Sequence, residues 1–301
     1  MPMRVGLVGA GRRARNIYAP GLSRCPNISF VGLWSRSPRA AAEVAGAHGV
    51  TNFDRYDRLL DSCDAVAFAV PPAVQADLAA TAALRGKPVL LETPIAGDVA
   101  GAESLAAAVT SEGVVSQVAL IWHYAAAVRQ FLTLEVPHTH PQGGSGRLMS
   151  NAFAAASPAP PWRKERGVLR ILGVHLIDVL DAALGRVVDV RAHGDVQGWI
   201  GLQLEHERGR FSDASMSGTV DVDPARADVE IFGPGGAAAI DCFAAVGPET
   251  YETMFSEFAT AAGRGEPHEL DVRRGLHLQR VVGAAETDLL LSQPTAQGGV
   301  R

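Results

Sequence analysis

The chain opens on an apolar run that ends in a glycine turn: Arg4-Val5-Gly6-Leu7-Val8-Gly9-Ala10-Gly11, continued by Arg12-Arg13-Ala14. Such a run, followed by Gly-x-Gly-x-x-Ala and then by residues with helical character, commits the start of the chain to a strand–turn–helix unit. Gly9 permits the tight turn, Gly11 lets the backbone come close to a pyrophosphate, and the small Ala14 lets helix pack on strand. The helix start then faces an anion with unpaired N–H groups and partial positive charge. The pattern predicts dinucleotide binding; the alternative is a glycine turn that serves only the backbone.

The following residues repeat the alternation. A helix over about 14–23 leads to the β-rich run Ile28–Trp34, and Ser37-Pro38 caps and starts an alanine-rich helix. Ala65–Val70 is another buried apolar strand, ended by Pro71-Pro72. A helix over 74–85, the strand Val89–Leu91, a helix over 98–112 and the strand Val114–Val118 complete the series. Strands and helices in this alternation require a parallel sheet with right-handed crossovers.

Beyond Ala119 the pattern changes. Pro137 to Ser145 and Ser157 to Pro161, rich in proline, glycine or small residues, read as loops. Leu169 to Leu184 reads as a helix. Short alternating runs at 187–191, 200–204, 211–216 and 229–232 point to an antiparallel sheet, and helices over 249–262 and 274–291 close the chain. The expected fold is therefore α/β: an N-terminal doubly wound parallel sheet, then an α+β domain with an open, mainly antiparallel sheet. The domains divide as 1–119 for dinucleotide binding and 120–301 for substrate binding and oligomerisation.

With 301 residues, 47% of them hydrophobic, the chain can bury a substantial core. A net charge of −5 and scattered arginines disfavour a nucleic-acid partner. Cys25, Cys63 and Cys242 are few and far apart, which fits reduced buried thiols rather than a disulfide framework or a zinc site. No secretory signal or membrane-spanning run is evident, so a cytoplasmic location is expected. His138-x-His140 lies among prolines and glycines without a third ligand, and Asp221-x-Asp223 precedes Pro224; a solvated loop and a turn outweigh metal sites, and no metal is expected.

The layout resembles the Gfo/Idh/MocA oxidoreductases, whose N-terminal half is a Rossmann fold. The resemblance rests on Gly9-x-Gly11-x-x-Ala14, Asp64-Ala-Val66, Pro71-Pro72 and the run from Gly86-Lys87-Pro88 to Glu92-Thr93-Pro94. It extends through Trp162-Arg163, Gly173-x-His175-x-x-Asp178, Phe258-x-x-Ala261 and Gly265-x-Pro267. It implies a cofactor held by Gly9, Gly11, Arg12, Arg13, Val70, Pro71, Glu92 and Thr93, substrate contacts from Asp178 and Trp162, and a small-molecule substrate. A homo-oligomer built on the open sheet is also implied.

Departures from the family pattern bear on the chemistry. Thr93 stands where the family has the lysine of Glu-Lys-Pro, Ile171 where it often has an aspartate, and Gln75 where a histidine is common. Lys87 precedes the strand whose far end carries Glu92 and does not replace that lysine. Reducing a ketone creates an alkoxide that needs a proton donor, whereas an imine nitrogen is basic enough for a weaker acid. Tyr124, His175 and His123 are the candidate donors; packing is the alternative for Tyr124 and His123, and a satisfied helix histidine for His175. Ile17-Tyr18-Ala19-x-Gly21-Leu22 and His123-Tyr124-x-x-x-Val128-Arg129-x-Phe131 are similar to thiazolinyl imine reductases, although the histidine often carried near Thr93 and Ala96 is missing. The resemblance thus implies hydride transfer to a C=N bond, as in siderophore-type or secondary-metabolite biosynthesis. The alternatives are ketone or sugar redox chemistry and a catalytically degenerate nucleotide-binding protein.

Cofactor choice is read at the end of the second strand. Trp34-Ser35-Arg36-Ser37 has no acid to accept from a ribose diol, while Ser35 and Arg36 suit a 2′-phosphate, so NADP(H) is expected over NAD(H).

Overall fold

The computed structural model describes residues 1–292. Its first sheet has six parallel strands, β1 (Met3–Val8), β2 (Ile28–Trp34), β3 (Thr51–Asn52), β4 (Ala65–Phe68), β5 (Val89–Leu91) and β6 (Ser116–Val118), in the order β3-β2-β1-β4-β5-β6. The order reverses between β2 and β4 on either side of β1, the topological switch point at which open α/β sheets bind ligands. β4 and β5 are buried at every residue, as continuous Val, Leu, Ala and Phe runs require of a sheet covered on both faces.

The connecting helices start where their sequences provide a cap. Ser37 accepts from the Ala40 N–H at 3.4 Å with Pro38 opening the helix, and Asp98 accepts from the Gly101 N–H at 2.8 Å to start Val99–Glu112. The first connection differs from expectation. Ala14–Tyr18 forms a π-helical turn that runs into the α-helix Ala19–Arg24. Strand β3 and the helix Tyr56–Ser62 escape a reading of apolar period because one is a two-residue exposed strand and the other a seven-residue helix.

The second sheet is mixed and mostly antiparallel, as expected. Its strands β7 (Gly143–Met149), β8 (Val187–Gly194), β9 (Trp199–His206), β10 (Arg210–Ser217), β11 (Arg226–Gly233) and β12 (Gly236–Asp241) run in the order β12-β11-β7-β10-β9-β8, and only β7 and β10 pair in parallel. The loop expected at 137–145 is corrected: the chain is helical over Val136–Thr139, turns at His140 in the left-handed region, and enters β7 at Gly143. Its glycines mark crowding rather than a break, since a Cβ on Gly144 would stand 2.7 Å from the Glu230 carbonyl oxygen. The helix Val174–Leu184, preceded by a π-helical turn at Leu169–Gly173, packs Leu176 and Leu180 against the Gly146 face of β7.

The chain forms two compact units. One comprises 1–126 with 246–279, so the helix Pro248–Arg264 joins the parallel-sheet unit; the other comprises 127–245 with the described residues from Arg280 to Ser292. No helix among the described residues is long and apolar enough to cross a membrane. Cys25, Cys63 and Cys242 are free thiols, and burial pushes Cys63 up to about 11 and Cys242 up to about 12.

Candidate functional site

The carboxyl ends of β1, β2, β4 and β5 converge on the glycine turn. Gly9 has φ +122, and a Cβ there would lie 2.4 Å from the Ala69 carbonyl oxygen, so only glycine lets the end of β1 run this close to the end of β4. Val70 adjoins the same point, and Pro71 precedes the helix Pro72–Ala83. Gly11 is the opposite case: a Cβ would meet nothing within 4 Å. The turn therefore leaves open the space a diphosphate needs, at the start of a helix whose first amides have no acceptor further up the chain.

Charge around this space is uneven. Arg12 is exposed at the turn and Arg36 is exposed beyond β2, and neither pairs with a carboxylate among the described residues. By contrast Arg15 and Arg39 share Glu43 at 3.0 and 3.4 Å. Ser35 accepts from the Ser37 N–H at 3.1 Å, which folds the segment that carries Arg36. Trp34 lies beside Tyr56, with ring centroids 5.3 Å apart.

At the end of β5, Glu92 is fixed twice over. Its carboxylate takes the Arg13 Nε–H at 2.5 Å, and its backbone is clamped by the buried Gln75 amide, which accepts from the Glu92 N–H at 2.9 Å and donates to the Glu92 carbonyl at 2.8 Å. The same Gln75 nitrogen lies 3.3 and 3.1 Å from the Pro94 and Ile95 carbonyls. Where the resemblance would put a histidine, this chain uses glutamine to hold the Glu92-Thr93-Pro94 segment, whose Thr93–Pro94 bond is cis. Burial alone would lower the Arg13 guanidinium, but the Glu92 carboxylate outweighs it and holds Arg13 firmly protonated.

Of the candidate proton donors, Tyr124 and His123 lie on a single turn of 3₁₀ helix, Ile121–Tyr124, in the parallel-sheet unit. Tyr124 is buried, donates its hydroxyl proton to the Val118 carbonyl at 2.8 Å, and stacks on His268 with centroids 6.0 Å apart. Its proton is thus committed to the backbone in this arrangement. His175 and Asp178 are buried on the helix Val174–Leu184 of the second unit, and Trp162 is half-buried there with the Arg163 guanidinium 6.0 Å from its ring. His138 meets the Leu134 carbonyl within its own helical segment, and no group of three metal-ligating side chains occurs among the described residues.

Residues 3–120 match the oxidoreductase family with NAD-binding Rossmann fold, GFO_IDH_MocA. The matched residues all lie in the parallel-sheet unit. Among the chain's relatives, dTDP-3,4-didehydro-2,6-dideoxy-alpha-D-glucose 3-reductase of Streptomyces antibioticus is 34% identical over 115 residues, 38% of this chain and 35% of that protein. Galactose 1-dehydrogenase of Pseudomonas fluorescens is 33% identical over 96 residues, 31% of this chain and 29% of that protein. The chain thus spans about a third of the length of these curated relatives. Over the whole chain the fold is that of UDP-N-acetylglucosamine 3-dehydrogenase GnnA from Acidithiobacillus ferrooxidans, with a TM-score of 0.84, 19% identity and coverage of 96% of this chain and 98% of that one.

Two parts of the site have contacts that the sequence does not show. The Gln75 clamp looks in sequence like one polar residue on an alanine-rich helix. Tyr251, whose ring lies 6.0 Å from the Arg13 guanidinium, carries no spacing signal, because it comes from the late helix that returns to this unit.

Proposed function

We propose that the chain is an NADP(H)-dependent oxidoreductase that moves hydride between the nicotinamide and a carbonyl or alcohol carbon of a sugar-type small molecule. The observation that carries this reading is the open turn at Gly11 with two uncompensated cations, Arg12 and Arg36, at the ends of β1 and β2. The amides from Gly9 to Arg13 would hold the diphosphate, and Ser35 with Arg36 would take the 2′-phosphate. Val70, Pro71, Glu92 and Thr93, which follow β4 and β5, would hold the nicotinamide ribose. The cofactor supplies the hydride; the protein orients it and manages the proton. Proton transfer is assigned to His175, His123 or Tyr124, whose hydroxyl donates to the Val118 carbonyl before substrate is present. Asp178 and Trp162 are the proposed substrate contacts. The sugar-type substrate is supported by the named activities of the two relatives.

A second reading, reduction of a C=N bond such as a thiazolinyl imine, is favoured by Thr93 in place of a lysine: a basic imine nitrogen needs no strong acid. NADPH fluorescence titration tests the cofactor, and absence of binding rejects both readings. Turnover on nucleotide-linked keto-sugars supports the first, and turnover on a thiazoline supports the second. Binding without turnover on either supports a catalytically degenerate protein.

Self-association through the second sheet belongs to the same proposal. One face of β7 is covered by the helix Val174–Leu184, while the other presents Phe211 and Phe232, both in register with Gly143, and Trp199, each about half exposed. Light scattering that finds only monomer at micromolar concentration rejects it.

A further inference from the structure

The chain leaves β5 at Leu91 and starts its next helix at Val99, and the backbone of residues 92–98 between them lies outside every strand and helix. Pro94, Ile95 and Ala96 are buried, so the N–H and C=O groups of this segment need partners other than water. Side-chain amides supply them. Gln75 serves the front, at Glu92, Pro94 and Ile95. Gln279, on the helix Val272–Ser292, serves the rear: its oxygen accepts from the Ala96 N–H at 3.2 Å, and its nitrogen donates to the Ala96 and Asp98 carbonyls at 3.0 and 2.9 Å. Both glutamines are buried. A primary amide carries donors and an acceptor on one neutral, planar head, so each glutamine satisfies N–H and C=O groups of an irregular backbone together.

Packing closes the same segment from two helices. A Cβ on Gly275, one turn before Gln279, would stand 2.8 Å from Ile95 Cγ2, and a Cβ on Gly97 would stand 3.2 Å from the Ala73 Cα. The helix that carries Gln279 and the helix that carries Gln75 therefore approach the segment closely at glycines, while their amides tie its backbone. All of these residues belong to the parallel-sheet unit. Gln117 is the contrast within that unit: buried on β6, it donates to the Met254 carbonyl at 2.9 Å and so ties one helix to the sheet.

We infer that Gln279 is a positioning residue that fixes segment 92–98, and with it the seat of the nicotinamide half of the cofactor, before any cofactor binds. This rests on the cofactor reading above, in which Glu92 and Thr93 at the front of the segment hold the nicotinamide ribose. A backbone ordered in advance spares the dinucleotide the cost of ordering it on binding. Without the rear ties the segment samples other conformations, and the nicotinamide half bears that cost. The adenosine half, assigned to the ends of β1 and β2, does not depend on these ties.

The test uses the full chain with NADPH and with adenosine 2′,5′-bisphosphate, which carries the adenosine end alone. Gln279→Met keeps length and burial but removes every tie to Ala96 and Asp98. Its NADPH affinity by fluorescence titration is expected to fall about tenfold, while its affinity for the bisphosphate by calorimetry stays at the wild-type value. Gln117→Met also removes a buried glutamine and lowers the melting temperature, yet leaves both affinities unchanged. Equal NADPH affinity of wild type and Gln279→Met, a parallel loss for both ligands in a folded variant, or the same NADPH loss in Gln117→Met would each overturn the inference. Should Gln279→Met not fold, amide exchange in the wild type decides: the Ala96 amide exchanges slowly without ligand and NADPH slows it no further, whereas a fast Ala96 amide that NADPH protects overturns the inference. Failure of the wild type to bind NADPH or NADH at all would instead remove the cofactor reading, and this inference with it.

Discussion

The carboxyl edge of the parallel sheet and the hairpins of the second sheet use the same polar residue types in opposite ways. At the parallel edge the groups hold capacity in reserve: Arg12 and Arg36 lack acidic partners, and Arg13 uses one nitrogen of its fork. In the second unit the comparable groups are filled. Arg170 grips both carboxylate oxygens of Glu286, Asp181 accepts from the Val187 N–H at 2.8 Å, and Asp288 accepts from the Ala192 N–H at 2.7 Å. His206 spends both ring nitrogens, on the Gly185 carbonyl at 2.7 Å and the Ser212 hydroxyl at 2.8 Å. Satisfied polar groups specify a fold, whereas reserved ones await a ligand, since leaving a polar group unpaired costs stability unless something repays it.

The largest expected effect tests whether the reserve depends on the turn itself. Gly9→Val would force a β-branched residue to φ +122 with its Cβ 2.4 Å from the Ala69 oxygen. A loss of about 3 kcal/mol in urea unfolding is expected, and a fully stable variant would show that the close approach of β1 to β4 is not required. Next comes the filled pair in the second unit. Arg170→Met strands Glu286, whose side chain is only 19% exposed, at a cost of about 2 kcal/mol, and adding Glu286→Leu restores most of it. Arg13→Met costs about 1 kcal/mol, because the Glu92 carboxylate, 13% exposed, loses one N–H bond where Glu286 loses two. Equal losses at the two arginines would erase the distinction between them.

The legibility of the two regions in sequence follows the same division. The parallel half was read nearly element by element, because strands buried on both faces give unbroken apolar runs and their helices carry local caps such as Ser37 and Asp98. In the second half the chain through Gly143–Met149 was missed, since its glycines answer to neighbouring strands distant in sequence, which no local window shows. The glycine turn and its arginines were legible for the same local reason. Gln75 holding Glu92 and Tyr251 beside Arg13 were not, because their meaning lies in contacts between residues distant in sequence.

A smaller effect concerns selectivity. Arg36 has no carboxylate to satisfy, so Arg36→Ala should leave the melting temperature unchanged while weakening NADPH about tenfold, roughly 1.4 kcal/mol, and leaving NADH affinity intact. An equal loss for both cofactors would make Arg36 a general phosphate contact; no loss would return it to an ordinary exposed charge.

The smallest effect is expected where every valence is already used. Burial lowers the His206 pKa from 6.5, with Arg210 adding to it and the Gly185 carbonyl and Asp181 opposing. Well above 6.5 the imidazole is neutral in both folded and unfolded chains and has no pH effect. As pH falls through that value the unfolded chain takes up a proton that the folded one resists, so stability declines until the depressed folded value is passed. Carboxylates titrate below this range and add their own slope, so the informative quantity is the difference between wild type and His206→Gln in urea unfolding at pH 8 and pH 5. The variant should lose less stability than the wild type across that interval, because it has no imidazole to charge. Parallel losses would mean that the β9–β10 hairpin tolerates an imidazolium facing Ser212, and that His206 is less completely filled than its two hydrogen bonds imply.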